Sequence, residues 1–141
     1  MINFIQGGAS TDVRGDIKYV NDFDMSDVKR FYIIRNADEG VVRGWRAHRS
    51  EQRWFYVLSG TFVLDVVKID DWQEASVDLP VERIILSAEG NRILHVPKGY
   101  GTSIRMVKAP AELLVFADSL IEKAQDDDYT WPIDYFIKRL S

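Results

Sequence analysis

Short segments dense in Val, Ile, Phe and Tyr follow one another along almost the whole chain, each closed by turn residues, and helical periodicity stays weak until the C-terminal end. That succession folds as an antiparallel sandwich or small barrel. The expected strands are residues 16–20, 30–35, 44–48, 53–59, 61–68, 82–86, 91–96, 103–107 and 111–116. Ser59-Gly60 separates two of the strongest and predicts a tight hairpin. With 141 residues, no repeat, and prolines scattered at Pro80, Pro97, Pro110 and Pro132, one domain spanning 1–141 is expected, large enough to enclose a core. Near the end, Pro132 stands at a first helical position before Ile133, Tyr135, Phe136, Ile137 and Leu140, and Lys138 and Arg139 fill a last turn. The fold class is therefore all-β with a short C-terminal helix. The Asp126-Asp127-Asp128 run suits the approach to that helix; EF-hand spacing for calcium is missing.

Composition removes several chemistries. There is no cysteine, which excludes disulfides, thiolate metal sites and a cysteine nucleophile. Two histidines, His48 and His95, make a three-histidine metal cage impossible. No cationic start followed by an apolar run marks a secretory signal, and uncharged stretches such as residues 54–64 are too short to span a bilayer. A cytoplasmic protein with no membrane partner is expected. The net charge of −4 disfavours nucleic acid, yet residues 29–53 hold seven cations (Lys29, Arg30, Arg35, Arg43, Arg46, Arg49, Arg53) against Asp38, Glu39 and Glu51. Such a cluster suits a small phosphorylated ligand or forms a solvated, acid-paired face.

The stretch from Gly40 to Gly60, GVVRGWRAHRSEQRWFYVLSG, has the frame of a first cupin motif, and Gly90 to Thr102 with Pro97-Lys98-Gly99 has the second. The four slots that carry metal ligands in metal-binding cupins hold Arg46, His48, Arg53 and Thr102 here, so no metal is expected. Since side chains on a strand repeat with period two, Gly44, Arg46 and His48 share one face. If that face is the interior, Arg46 and His48 line a polar mouth of the kind small barrels use for ligands.

Lys29-Arg30-Phe31-Tyr32, Arg43-Gly44-Trp45 with Ala47-His48, and Ser59-Gly60 resemble the sugar 3,4-ketoisomerases that act on thymidine-diphosphate 4-keto-6-deoxyhexoses. The segments DVVKIDDW and LSAEGNRILHVPKGYG are similar to the related 3,5-epimerases of the rhamnose pathway, and Asp12 and Arg14-Gly15-Asp16 extend the likeness over about residues 12–128. The resemblance implies a jelly-roll cupin, a homodimer with exchanged edge strands and a nucleotide-sugar ligand of surface-polysaccharide biosynthesis. It implies proton transfer beside a ketone without a cofactor. It also implies that Arg43 holds the diphosphate and that the histidine base stands where this chain has Arg46. A guanidinium is not deprotonated in a protein, so Arg46 cannot be that base. Thr102 stands where a further histidine often follows the Pro-x-Gly turn, and residues 112–118 lack the tyrosine of the epimerases.

Three readings stay open. His48 alone moves a proton while Arg46 stabilises the oxyanion; the site binds a nucleotide sugar without chemistry, as partner or regulator; or Arg46 neutralises a buried carboxylate in a mere core. The catalytic candidates are His48, Arg46, Tyr32 and His95, and the candidate ligand contacts are Arg43, Arg53, Trp45 and Lys98. Each has a plainer alternative. His95 alternates with apolar neighbours as a wall residue would, Tyr32 and Trp45 suit core packing, and Lys98 suits a solvated turn.

Overall fold

The computed structural model describes residues 1–136. Its strands are β1 (Asn3–Gln6), β2 (Gly8–Asp12), β3 (Gly15–Tyr19), β4 (Arg30–Ile34), β5 (Val42–His48), β6 (Arg53–Lys68), β7 (Val81–Ser87), β8 (Arg92–Val96), β9 (Tyr100–Ala117) and β10 (Tyr129–Thr130). One short helix, α1 (Ile121–Ala124), runs into a 3-10 turn at Gln125–Asp127. Every strand pair is antiparallel. No helix of the described residues is long and apolar enough to cross a membrane.

Two long strands organise the molecule. β6 and β9 pair from Arg53↔Ala117 to Lys68↔Tyr100, and their register slips between Val57 and Phe62. On one side of that slip the order is β4-β9-β6-β8-β1; on the other it is β10-β5-β9-β6-β7. The halves form the two facing layers of a jelly roll. Phe55, Val57, Phe62, Leu64, Leu86, Leu94, Leu113 and Val115 fill the space between them. A second cluster on the outer face of β5 joins Trp45, Ala47 and Val67 to Phe136.

Ser59-Gly60 is therefore not a hairpin. The chain continues through it as one strand, and segments 103–107 and 111–116 likewise merge into β9. Gly60 has φ 74°, and a Cβ there would stand 2.6 Å from both Ala111 Cβ and Pro110 O. A glycine with positive φ serves a primed hairpin turn and a bulge equally well. What decides is the partner strand, which bends in step and keeps pairing on both sides. The all-β class holds, but its helix lies at Ile121–Ala124, ahead of Pro132. Residues 133–136 make a turn in which the Tyr135 N–H donates to Pro132 O over 3.0 Å. The rest of the expected helix, residues 137–140, lies outside the described residues.

Candidate functional site

Strand register fixes which side chains look inward. Arg46 pairs with Thr102, which pairs with Val66; His48 pairs with Tyr100, which pairs with Lys68. Val66 belongs to the inner core, so this row of the pleat faces the interior. A bulge between Arg43 and Arg46 adds Arg43, opposite Ile104, to the same face. On the facing sheet Arg30 and Arg53 flank Ala117, while Tyr32 and Phe55 flank Val115. Apolar pairs close the far end of the interior, and arginines crowd the near end.

Two adjoining clefts open there. One of about 730 Å³ is lined by Tyr32, Arg43, Arg46, Arg53 and Thr102 among others. The second, about 460 Å³, is lined by Arg30, Tyr32, Arg46, His48, Glu51 and Asp128 among others. Tyr32 and Arg46 border both. The arginine at the first cupin slot is thus a partition between the clefts.

The 49–52 loop and the 125–128 turn hold the second cleft in shape. The Asp127 carboxylate accepts from the backbone N–H groups of Arg49, Ser50 and Glu51 at 2.8–2.9 Å. His48 is 6% exposed, and its Nδ1 lies 2.8 Å from the Asp127 carbonyl oxygen. A carbonyl only accepts, so Nδ1 carries the proton and Nε2 is the basic nitrogen of the neutral ring. Nε2 lies 3.6 Å from Glu51 Oε2, beyond a hydrogen bond. Burial, and then the Arg53 charge, push the His48 pKa below the usual imidazole value, while the Asp127 carbonyl and Glu51 act in the other direction.

Glu51 is 2% exposed and binds through Oε1 alone, to Arg30 Nη2 at 2.8 Å and to the Ser119 hydroxyl. Its Oε2, Arg30 Nε and Arg53 Nη2 are the buried side-chain polar atoms without a partner among the described residues. Arg53 is 3% exposed, with its guanidinium carbon 5.2 Å from the Phe55 ring centroid. Burial lowers its proton affinity; Tyr32 and Glu51 oppose that. Arg46 is solvent-facing, 3.0 Å from Asp128.

The remaining candidates stand apart. His95 stacks on Trp54 at 5.2 Å, and its ring nitrogens meet Asn3 Oδ1 and Gln52 Oε1; it lines neither cleft. Lys98 is exposed in its turn and also lines neither. Trp45 borders the larger cleft, but its indole packs on the outer face, edge-on to Phe136 with Nε1 donating to Ile133 O. Gly99, at φ 91°, turns the chain so that its N–H reaches His48 O. Sequence reasoning missed Glu51, Ser119, Asp127 and Asp128 as site residues. One signal pointed to them: a cation-rich 29–53 stretch requires acids from elsewhere, and 126–128 is a dense local supply.

A family model described as WxcM-like, C-terminal (FdtA) matches residues 2–140. The chain belongs to this family. None of the curated proteins matches it. Among solved structures it is similar to a 3,4-ketoisomerase from Helicobacter canadensis, with 17% identity over 99% of this chain and 98% of that one and a TM-score of 0.73. It is also similar to a mutant of the 3,4-ketoisomerase QdtA from Thermoanaerobacterium thermosaccharolyticum in complex with TDP-4-keto-6-deoxyglucose, with 17% identity, coverage of 98% and 93%, and a TM-score of 0.72. The dTDP-4-dehydrorhamnose 3,5-epimerase from Bacillus anthracis, with TDP and PPi bound, gives 16% identity, coverage of 92% and 77%, and a TM-score of 0.74. At these identities the likeness establishes the fold, a cupin jelly roll of the WxcM-like family.

Proposed function

We propose that this WxcM-like cupin binds a thymidine-diphosphate 4-keto sugar and moves a proton next to its ketone, as an isomerase or epimerase of deoxysugar biosynthesis. The observation that carries this reading is His48. Its ring is buried beside the arginine-walled cleft, and its Nδ1 proton is committed to the Asp127 carbonyl, which leaves Nε2 as the acceptor. Glu51 Oε2, at 3.6 Å, is the negative charge that steadies the imidazolium while His48 holds the proton, until it is returned to the sugar. Arg46, exposed and adjustable between the clefts, is the cation for the enolate oxygen, and Tyr32 is the hydroxyl within reach of both clefts. Arg43 is the diphosphate contact; its Nε binds neutral Asn36 Oδ1, so its charge is available. The core-only reading of Arg46 is not supported, because neither Arg46 nor Asp128 is buried.

The related assembly is a homodimer acting in the cytoplasm. Its support is an apolar outer face on β4, with Phe31 65% and Ile33 47% exposed. The test is isotope exchange. In deuterated water with a thymidine-diphosphate 4-keto-6-deoxysugar, the protein should place deuterium at C3 or C5, and His48→Asn should stop it. Binding without exchange in the wild type would leave a non-catalytic nucleotide-sugar binder.

A further inference from the structure

The larger cleft contains three guanidinium groups, those of Arg43, Arg46 and Arg53, and no carboxylate among its lining residues. Their charges are answered differently. Arg46 has Asp128 at 3.0 Å. Arg43 is exposed and held by neutral oxygens of Asn36 and Arg35, so water shares its charge. Arg53 has neither solution. It is 3% exposed, forms no ion pair among the described residues, and leaves Nη2 unpartnered.

Among the described residues the carboxylate that acts on it is Glu51, whose bound oxygen is already taken by Arg30 and Ser119. Among the described residues, buried Arg53 and partly buried Arg30 therefore share one carboxylate, and the inner end of the cleft holds one positive charge in excess. A buried charge without a counter-charge is strongly unfavourable, and a guanidinium fork matches a planar carboxylate through paired N–H···O bonds. The Tyr32 hydroxyl lies beside Arg53, and Thr102, 2% exposed, lines the same cleft.

We infer that Arg53 receives a carboxylate where the ligand carries one, so that this site binds a nucleotide-linked hexuronic acid more tightly than the neutral deoxyhexose of the reading above. The inference rests on the nucleotide-sugar reading above for the diphosphate half, which lies on Arg43. A single excess charge is complementary to a monoanion. A phosphoryl group brings more charge and keeps more water, and the exposed Arg43 suits it better. An enolate formed only during reaction leaves Arg53 uncompensated in the resting complex, whereas a carboxylate on the substrate compensates it from the moment of binding.

The experiment is calorimetric titration of the wild type and Arg53→Gln with thymidine diphosphate, thymidine-diphosphate glucose and thymidine-diphosphate glucuronic acid. The wild type should bind the glucuronic acid conjugate at least about tenfold more tightly than the glucose conjugate. Arg53→Gln should erase that difference by weakening the glucuronic acid conjugate. The wild-type comparison stands by itself if the variant does not fold. Equal wild-type affinities for the two conjugates overturn the inference and leave the nucleotide-sugar reading intact. Failure to bind any of the three overturns both. A folded Arg53→Gln that weakens both conjugates equally assigns Arg53 to a phosphoryl group and overturns the carboxylate.

Discussion

Glu51→Gln and Arg53→Gln should have opposite weights in the ligand-free protein. Glu51 is the one carboxylate between two largely buried guanidinium groups, with its side chain 1% and that of Arg30 21% exposed. Removing its charge leaves Arg30, 2.8 Å away, and Arg53 both uncompensated. Breaking a buried ion pair from one side costs about 3–5 kcal/mol, whereas deleting a charge that lacks a partner is near neutral or favourable. At about 3–4 °C per kcal/mol for a chain of this size, Glu51→Gln should lower the melting temperature by roughly 10–20 °C. Arg53→Gln should move it by no more than about 3 °C in either direction. In the double variant, loss of the Arg53 charge should restore part of what Glu51→Gln removed, a positive coupling of about 1–3 kcal/mol.

Thermal and urea denaturation of the four proteins at pH 7.5 supplies the cycle. The reasoning fails if Arg53→Gln alone destabilises as much as Glu51→Gln. Arg53 would then be a full partner in a compensated pair, with no excess charge to offer a ligand.

Two further outcomes follow from the same structure. His48 and His95 both have pKa values below the usual 6.5, so the unfolded chain binds protons that the folded chain refuses. Stability should therefore fall as the pH drops from 6.5 through their folded values. Urea midpoints measured stepwise from pH 8 to about pH 5 should show this, and His48→Asn should flatten the slope; a level wild-type profile contradicts it. Gly60→Ala should cost about 2–4 kcal/mol, from the φ of 74° plus the collision with Ala111 and Pro110. Gly15→Ala, at φ 126° with open space around it, should carry the backbone strain alone, about 1–3 kcal/mol. Equal melting temperatures for the two variants would remove the packing component.

Short apolar runs such as 53–57, 62–67 and 113–117, dense in β-branched and aromatic residues and set off by turn residues, made the strands legible. Continuity across Gly60 was not legible. A bulge and a hairpin turn make the same demand on the backbone, and the difference lies in β9, far along the chain. Period two put Arg46 and His48 on one face, as their pairing with Thr102 and Tyr100 has them. It missed Arg43, since the extra residue of a bulge resets the count without a sequence mark. The acids were hidden for another reason. Asp127 acts on a loop 76–78 residues away, and no local pattern encodes such a contact. Glu51 was visible only as one acid among many cations, and its place between Arg30 and His48 depends on that same loop.

The 125–128 turn does more for this site than any single strand, because its groups act on both sides of the partition. The Asp127 carboxylate gathers three successive N–H groups and so fixes the backbone that carries Glu51. Its carbonyl selects the His48 tautomer, and Asp128 answers the charge of Arg46. A cleft wall that carries Arg46 beside Arg53 and His48 needs such a device. Without the turn, Arg46 would add to the excess charge around Arg53 and lower the basicity of His48 further. With it, Arg46 is neutralised at the surface, and the excess stays confined to Arg53 at the inner end of the cleft. Arg46 in the first motif and the acid run near the C-terminus are, on this reasoning, two halves of one electrostatic design. Together they leave a neutral base on one side of Tyr32 and a single buried cation on the other.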